Sequence, residues 1–382
     1  MTCKSVFISA AIATIFMSSS QMPGASPATT QTDYFVYVGT YGKGIYAYRY
    51  AAGDAKLEAL GLLAEVVNPS FLAADREHRY LYAVSELEGK VDGGLAAYSI
   101  DRKTGRLTSL NHVSSAGEAP CHLAVDHTGK MLVVANYGNG GVSAFPLGSD
   151  GRLGGMSALM TAHGSSVNPK RQEGPHAHQT VISADNRFLY VPDLGLDQIR
   201  IYKLDAQHAK LTPSDPPFLQ EEPGEGPRHI AFSPNGQHAY VVNELKSVVN
   251  VFNVDATNGA LQQVQAVSTL PAGFTGDNAP AEILMDRAGK YLYASNRGPG
   301  TVAVFAVDAT AGTLRQVQVM ATGGTFPRAI EIDPSGRFLF AGDQKAGRFA
   351  VFQIDSATGQ LSPAAKVFNV PSPVCFLFVP TK

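Results

Sequence analysis

From Tyr34 onward the chain is dominated by short runs in which apolar residues alternate with small or polar ones. A period of two marks β-strands, whose successive side chains face opposite ways. One such run recurs seven times: YVGTY (37–41), YAVSE (82–86), VVANY (133–137), YVPDL (190–194), YVVNE (240–244), YASNR (293–297) and FAGDQ (340–344). Successive copies start 45, 51, 57, 50, 53 and 47 residues apart. A second strand follows each copy and carries an aromatic at a fixed place, as in IYAYRY (45–50), VNVFNV (249–254) and FAVFQI (349–354). A Gly-x-Leu-like element then predicts the start of a third strand at Leu107, Leu153, Leu211, Leu261, Leu314 and Leu361. A further strand precedes six of the seven units, among them PCHLAVD (120–126), HAHQTVIS (176–183), PRHIAFS (227–233) and PRAIEID (327–333).

The first unit lacks this preceding strand, and the seventh copy, PVCFLFV (373–379), stands at the C-terminus. Four strands per unit, a repeat of about 50 residues and a displaced end strand predict an all-β, seven-bladed β-propeller. The C-terminal strand pairs into the N-terminal blade and closes the ring, leaving no open sheet edge. An open solenoid or two sandwiches would not explain a first strand that reappears at the end. Because the ring holds only when complete, residues 33–382 are expected to form one domain.

Composition agrees with many short strands. Gly 38 and Pro 23 supply turns, and only 16% of residues are charged, below the roughly 25% usual in soluble chains. Hydrophobic content of 45% excludes a disordered chain. A net charge of -2 with no basic run excludes a nucleic-acid partner, which needs clustered Lys and Arg. Trp is absent, which excludes the WD-type repeat signature.

Residues 1–30 differ from the rest. Lys4 is their only charge, and Ser5–Met17 is a 13-residue apolar or small run, too short for the roughly 20 residues of a membrane helix. Small residues follow. This predicts a cleaved secretory signal and leader over 1–30, and a periplasmic or secreted protein with no membrane attachment after cleavage. Cys121 and Cys375 then remain, too few for a disulfide framework and expected as core or channel-lining thiols.

In such a ring the preceding strands lie nearest the central channel. Aligning them gives one register of Ser70, Cys121, His178, Arg228, Ala281, Arg328 and Val374. The next register holds Phe71, His122, Gln179, His229, Glu282, Ala329 and Cys375. The ends of the recurring runs contribute Tyr41, Glu86, Tyr137, Leu194, Glu244, Arg297 and Gln344. Ionisable residues concentrate here in a chain otherwise poor in charge, which marks a candidate site. Arg228, Arg297 and Arg328 suit an anion, because a guanidinium binds carboxylate or phosphate in two-pronged fashion. His178 and Glu244 are candidates to move a proton. Glu282 pairing with an arginine is a purely structural alternative. His176 and His178 share a strand face, yet no third ligand at close spacing supports a metal. Asp75, Asp126, Asp286 and Asp333 precede turns and are expected to bind local backbone amides. No Gly-x-Ser-x-Gly elbow is present.

Over about residues 34–380 the chain resembles the propeller lactonase family, which includes the seven-bladed 6-phosphogluconolactonases and the fungal carboxy-muconate cyclases. The stretches that carry the resemblance include YVGTY (37–41), PCHLAVD (120–126), VVANYGNGGVSAF (133–145), RQEGPHAH (171–178), GPRHIAF (226–232), YVVNEL (240–245), ASNRG (294–298) and PVCF (373–376). The resemblance implies a hydrolase or cyclase acting on a small-molecule lactone, with no cofactor or metal. Carried onto the PHAH, GPRH, VNEL and SNRG motifs, it implies an active site of His178 (or His176), Arg228, Glu244 and Arg297. His122, His176, His229, Glu282 and Arg328 are the accompanying candidates for substrate binding. The well-studied bacterial members act in the cytoplasm, where phosphorylated sugars reside, so an exported relative points instead to an unphosphorylated aldonolactone or another anionic lactone. Other readings of the same charged mouth are a lactonising cycloisomerase, a ligand- or protein-binding propeller, and a calcium-dependent lactonase using Asn136, Asn243 and Asn296.

Overall fold

Turns are set locally. Asp126 precedes a tight hairpin, and its Oδ1 accepts from the backbone N–H of Lys130 and Met131, both at 2.7 Å. Asp75, Asp286 and Asp333 accept the same pair of amides in their own blades, as the sequence predicts. Ser183 and Ser233 fill the place in two further blades, accepting from Phe188 and His238 at 2.9 Å. Each hairpin therefore carries a side-chain acceptor that stops the backbone from continuing straight.

In the computed structural model, which describes residues 1–2, 33–87, 89, 92–363 and 366–382, the strands assemble into seven four-stranded antiparallel sheets. No helix occurs among the described residues. Thr32–Lys382 forms one compact unit; the expected signal segment falls almost wholly outside the described residues. Each sheet is a blade; around most of the ring its inner strand touches those of its neighbours, and the last blade returns to the first. At the fourth blade it is Phe188–Asp193 that meets the next inner strand, Pro227–Phe232. Closure follows the sequence expectation. Pro373–Pro380 pairs antiparallel with Asp33–Thr40, with Tyr34 opposite Pro380 and Val38 opposite Phe376.

Two third-strand starts differ from expectation. Leu153 and Leu361 make only isolated bridges, to Leu147 and Ile354, and the outer strands proper are Ala158–Met160 and Lys366–Asn369. The run 176–183 also pairs less than predicted. Only Val181–Ile182 joins the sheet, with a single bridge from Ala177 to Asp193. Its first residues are diverted to hold side chains at the channel mouth.

Blades are welded by recurring contacts. Tyr37, Tyr190 and Tyr293 are buried and each donates its hydroxyl to a glycine carbonyl in the next blade: Gly105, Gly259 and Gly359, at 2.8, 3.0 and 2.9 Å. These are the glycines of the Gly-x-Leu element. At Gly359 the backbone adopts φ 70°, and an added Cβ would meet the Tyr291 ring at 2.3 Å, so only glycine fits. The seam between the last and first blades is aromatic. Phe340 lies with ring centroids 5.4 Å from Tyr50, 5.9 Å from Phe376 and 5.1 Å from Phe378, each edge to face. Tyr50 and the two other phenylalanines belong to the first blade, so this cluster and the closing strand act together.

Phe340→Ala is expected to cost about 3–5 kcal/mol, the range for emptying a packed aromatic site. Truncation after Ser372 is expected to abolish cooperative unfolding altogether. Thermal melts followed by circular dichroism check both, and a truncated chain that melts like the full chain would contradict the closure argument.

Candidate active site

Three inner strands, Pro120–Val125, Pro227–Phe232 and Pro327–Ile332, begin with a proline and then bulge. Register slips between Pro120 and His122, Pro227 and His229, and Pro327 and Ala329, so that Cys121, Arg228 and Arg328 lie at the slip. Proline is tolerated at a strand's first residue because it has no N–H to give the ladder. A bulge re-aims the local side chain. In these three blades the Pro-x step therefore turns one residue toward the axis, at the mouth where the recurring strands end.

A pocket of about 440 Å³ opens there, within the range that holds one small molecule. Tyr41, Tyr137, Arg171, His178, Glu244, Arg297 and Arg328 all line it, with Glu86 and Cys121. Its electrostatic centre is Glu244. Oε1 accepts from Arg171 Nη2 at 2.7 Å, while Oε2 lies 2.6 Å from Arg297 Nη2 and 3.0 Å from Arg228 Nε. The carboxylate is 4% exposed. Burial alone would raise its pKa, but Arg297, Arg228 and Arg171 outweigh burial and hold it well below the usual carboxylate range. Burial, Arg297 and Arg328 together push the Arg228 guanidinium down to about 9, still a cation at neutral pH. Arg228 also donates to Ala281 O at 2.6 Å, and Arg297 Nε donates to Ala279 O at 2.8 Å, which fixes both heads. Arg328 donates to Tyr41 Oη at 2.8 Å and packs over that ring.

His178 is buried beside this charge. Its pKa lies well below the ordinary histidine value, first through burial and then through Arg228, His229, Arg328 and Arg297, so the imidazole is neutral. Cys121 sits under it, with Sγ 3.2 Å from His178 O. Burial pushes that thiol far up, which leaves it a packed neutral group and no nucleophile.

The remaining expectations separate by depth. Arg328 is at the pocket, whereas Arg228 supports it from beneath. His122, His229 and Glu282 lie outside the pocket lining, as a second layer in which both histidines are buried and Glu282 is partly so. His229 Nδ1 is 2.7 Å from Glu282 Oε1, and the His229 ring meets those of His178 and His122 edge to face at 5.1 and 5.7 Å. His122 Nδ1 accepts the Thr180 N–H at 3.3 Å. His176 is away from the pocket as well. Its Nδ1 donates to Tyr137 O at 2.8 Å and its ring stacks on Tyr137 at 4.6 Å, so it props the tyrosine that does line the site. Between His176 and His178, only His178 faces the pocket. Among the described residues no group of three or more His, Cys, Asp and Glu is placed to hold a metal.

Arg171 was not among the expected residues. It comes from the segment before the fourth blade, where Gln172 Nε2 ties to Leu194 O at 2.9 Å and Asp197 Oδ1 at 2.8 Å. No strand register reaches this segment, and its signal is only the first letter of RQEGPHAH.

Residues 35–378 match the family model described as Lactonase, 7-bladed beta-propeller. The chain belongs to this lactonase family. A 6-phosphogluconolactonase of Bacillus subtilis is 36% identical over 296 residues, covering 76% of this chain and 82% of the relative. A 6-phosphogluconolactonase of Formosa agariphila is 32% identical, covering 74% of this chain and 81% of the relative. Among solved structures, the periplasmic gluconolactonase of Pseudomonas aeruginosa superposes with a TM-score of 0.86 at 34% identity, covering 91% of this chain and 99% of that one.

The second layer has a pH signature. Burial pushes Glu282 up to about 7, against the lowering effect of Arg228, His122 and Arg328. A carboxyl raised in the folded state is tolerated as the neutral acid, so it costs stability as pH climbs from the ordinary carboxylate range through about 7. Glu282→Gln removes that cost and keeps an acceptor for His229. The melting temperature of the variant relative to the native protein should therefore rise between about pH 5 and about pH 8. A difference independent of pH would contradict a buried, titrating Glu282.

Proposed function

We propose that this protein hydrolyses a sugar lactone of the gluconolactone type. The observation that carries the proposal is the arginine-clamped Glu244 with a neutral, pocket-facing imidazole beside it. Both oxygens of Glu244 are engaged by guanidinium groups, and its carboxylate has little basicity left. That favours His178 as the base and gives Glu244 the task of fixing Arg171, Arg228 and Arg297. In this reading Arg297 and Arg171, with Arg328 across the mouth, receive the lactone carbonyl and any substrate anion. Charge placed before the reaction stabilises the oxyanion as it develops. Water attacks the carbonyl carbon while His178 takes its proton. The tetrahedral oxyanion then collapses, the ring C–O bond breaks, and His178 returns the proton to the departing ring oxygen. The product is an open-chain hydroxy acid.

Family membership and the named relatives support the reaction class. The apolar run Ser5–Met17 and the likeness to a periplasmic gluconolactonase favour export and an unphosphorylated aldonolactone.

The test is hydrolysis of glucono-δ-lactone and its 6-phosphate, with spontaneous opening subtracted. His178→Asn is expected to lower kcat by about 10²–10⁴-fold, the worth of a positioned base. Glu244→Gln releases three guanidinium groups and is expected to lower kcat/KM by at least about 10²-fold. Full activity in both variants would refute the assignment. For pH, a lowered His178 pKa keeps the base unprotonated into acid. The acid limb of kcat/KM should therefore lie below the ordinary histidine value of about 6.5. A limb at or above that value would exclude His178 in its buried state as the base.

A further inference from the structure

Pseudo-symmetry between blades isolates one anomaly. In five blades the recurring strand ends at an equivalent position, occupied by Asn136, Asp193, Asn243, Asn296 and Asp343. Two residues earlier the strand faces an equivalent residue across the ladder: Ser143, Arg200, Asn250, Ala303 and Ala350. In the fourth blade the pair is Asp193 with Arg200, a buried carboxylate matched by a guanidinium at 3.1 Å. In the fifth blade both places hold asparagine.

The chain that crosses into the fifth blade differs too. After the outer strand, the N–H of Glu221, Thr269 and Thr322 each bonds back to a turn carbonyl: Asp197 O, Ser247 O and Gly300 O, at 2.8, 3.0 and 2.8 Å. The two threonines satisfy their hydroxyls on that same carbonyl. Of these three places, only the one leading into the fifth blade carries a carboxylate, and Glu225 joins it four residues on. Asn250 Nδ2 lies 3.0 Å from Glu221 Oε1 and 2.5 Å from Glu225 Oε2, and Asn243 Nδ2 lies 3.5 and 3.4 Å from the same two oxygens.

The four side chains are deeply buried, at 4% and 6% exposure for the glutamates and 0% for both asparagines. Neither glutamate forms an ion pair among the described residues; Lys246 acts on Glu225 only from beyond contact. Three oxygens of the cluster, Glu221 Oε2, Asn243 Oδ1 and Asn250 Oδ1, have no hydrogen-bond partner among the described residues. Buried charge without a partner is costly, and buried polar atoms are ordinarily satisfied. Burial pushes the Glu221 carboxyl up to about 8 and raises Glu225 as well, so a bound cation is what would hold both ionised at neutral pH. With both ionised the cluster carries a charge of two, and the ligands these four side chains offer are oxygens. A carboxamide presents oxygen in place of nitrogen by a half-turn about its last bond.

We propose that Glu221, Glu225, Asn243 and Asn250 bind a hard divalent cation, Ca²⁺, that ties the crossing segment to the fifth blade. Oxygen-only ligation in a site of adaptable geometry is the chemistry Ca²⁺ prefers. Its place explains what it would hold. Glu225 is three residues before Arg228, Asn243 directly precedes Glu244, and Glu244 N–H bonds to Gly226 O at 2.8 Å. The ion would thus set the spacing of the two strands that carry the Arg228–Glu244 pair. It is a positioning site, outside the pocket lining, and stands whatever reaction the pocket performs.

The experiment uses the full chain after treatment with a chelator. Ca²⁺ or Mg²⁺ is titrated in by calorimetry, and thermal melts are recorded with and without the ion. Saturating Ca²⁺ is expected to raise the melting temperature by several degrees through preferential binding to the folded state, with Mg²⁺ less effective. The double variant E221Q/E225Q should lose this response. N250S, which installs the residue that Ser143 supplies in the third blade, is the milder probe and should weaken Ca²⁺ binding by at least tenfold. A native protein indifferent to Ca²⁺ in both measurements, or variants that respond as the native protein does, would overturn the site. A melting temperature that tracks pH but not Ca²⁺ would likewise overturn it, and would assign the pair a shared proton.

Discussion

Ring closure is the constraint on which everything else rests. A blade's inner strand is covered by its neighbours, and the first blade owes its inner strand to residues 373–380, more than 300 positions away along the chain. Without that pairing, Asp33–Thr40 would offer an open edge and the aromatic seam around Phe340 would lose its partners. Closure also fixes the axis. Residues from separate blades converge at the mouth because the ring brings their strands to one line.

Convergence then creates an electrostatic problem that the site turns to use. Several guanidinium groups at one channel mouth repel each other, and burial makes that repulsion stronger. Glu244 relieves it by meeting three of them at once. What remains is positive charge held still, next to an imidazole that the same field keeps neutral. A fixed cationic cradle and a neutral imidazole are opposite demands on one local field, and both are met with the arginines anchored to backbone carbonyls.

The fold was legible because repetition multiplies a weak signal. One five-residue strand is ambiguous, but seven copies, with the seventh preceding strand displaced to the C-terminus, admit a single closed arrangement. The Asp turns and the Gly-x-Leu elements were legible for the same reason, since each is a local backbone demand repeated with the blade. Much of the site was also within reach. The inner-strand register named Cys121, His178, Arg228 and Arg328, and the strand ends named Tyr41, Glu86, Tyr137, Glu244 and Arg297. The register failed in depth. It gave His122, His229 and Glu282 the same standing as pocket residues, and it had no place for Arg171, which arrives on an irregular segment.

By itself, then, the sequence determined the blade count, the closing strand and the residue types gathered around the axis. These follow from periodicity and hairpin chemistry, which act between near neighbours in the chain. Tertiary structure alone decided which side chains reach the pocket, which of His176 and His178 faces it, and that Glu244 is a clamp with both oxygens engaged. Those outcomes depend on bulges that re-aim single side chains and on fields summed over residues from different blades. Neither a small change of direction at Pro227–His229 nor the charge of Arg171 beside Glu244 leaves any periodic trace along the chain.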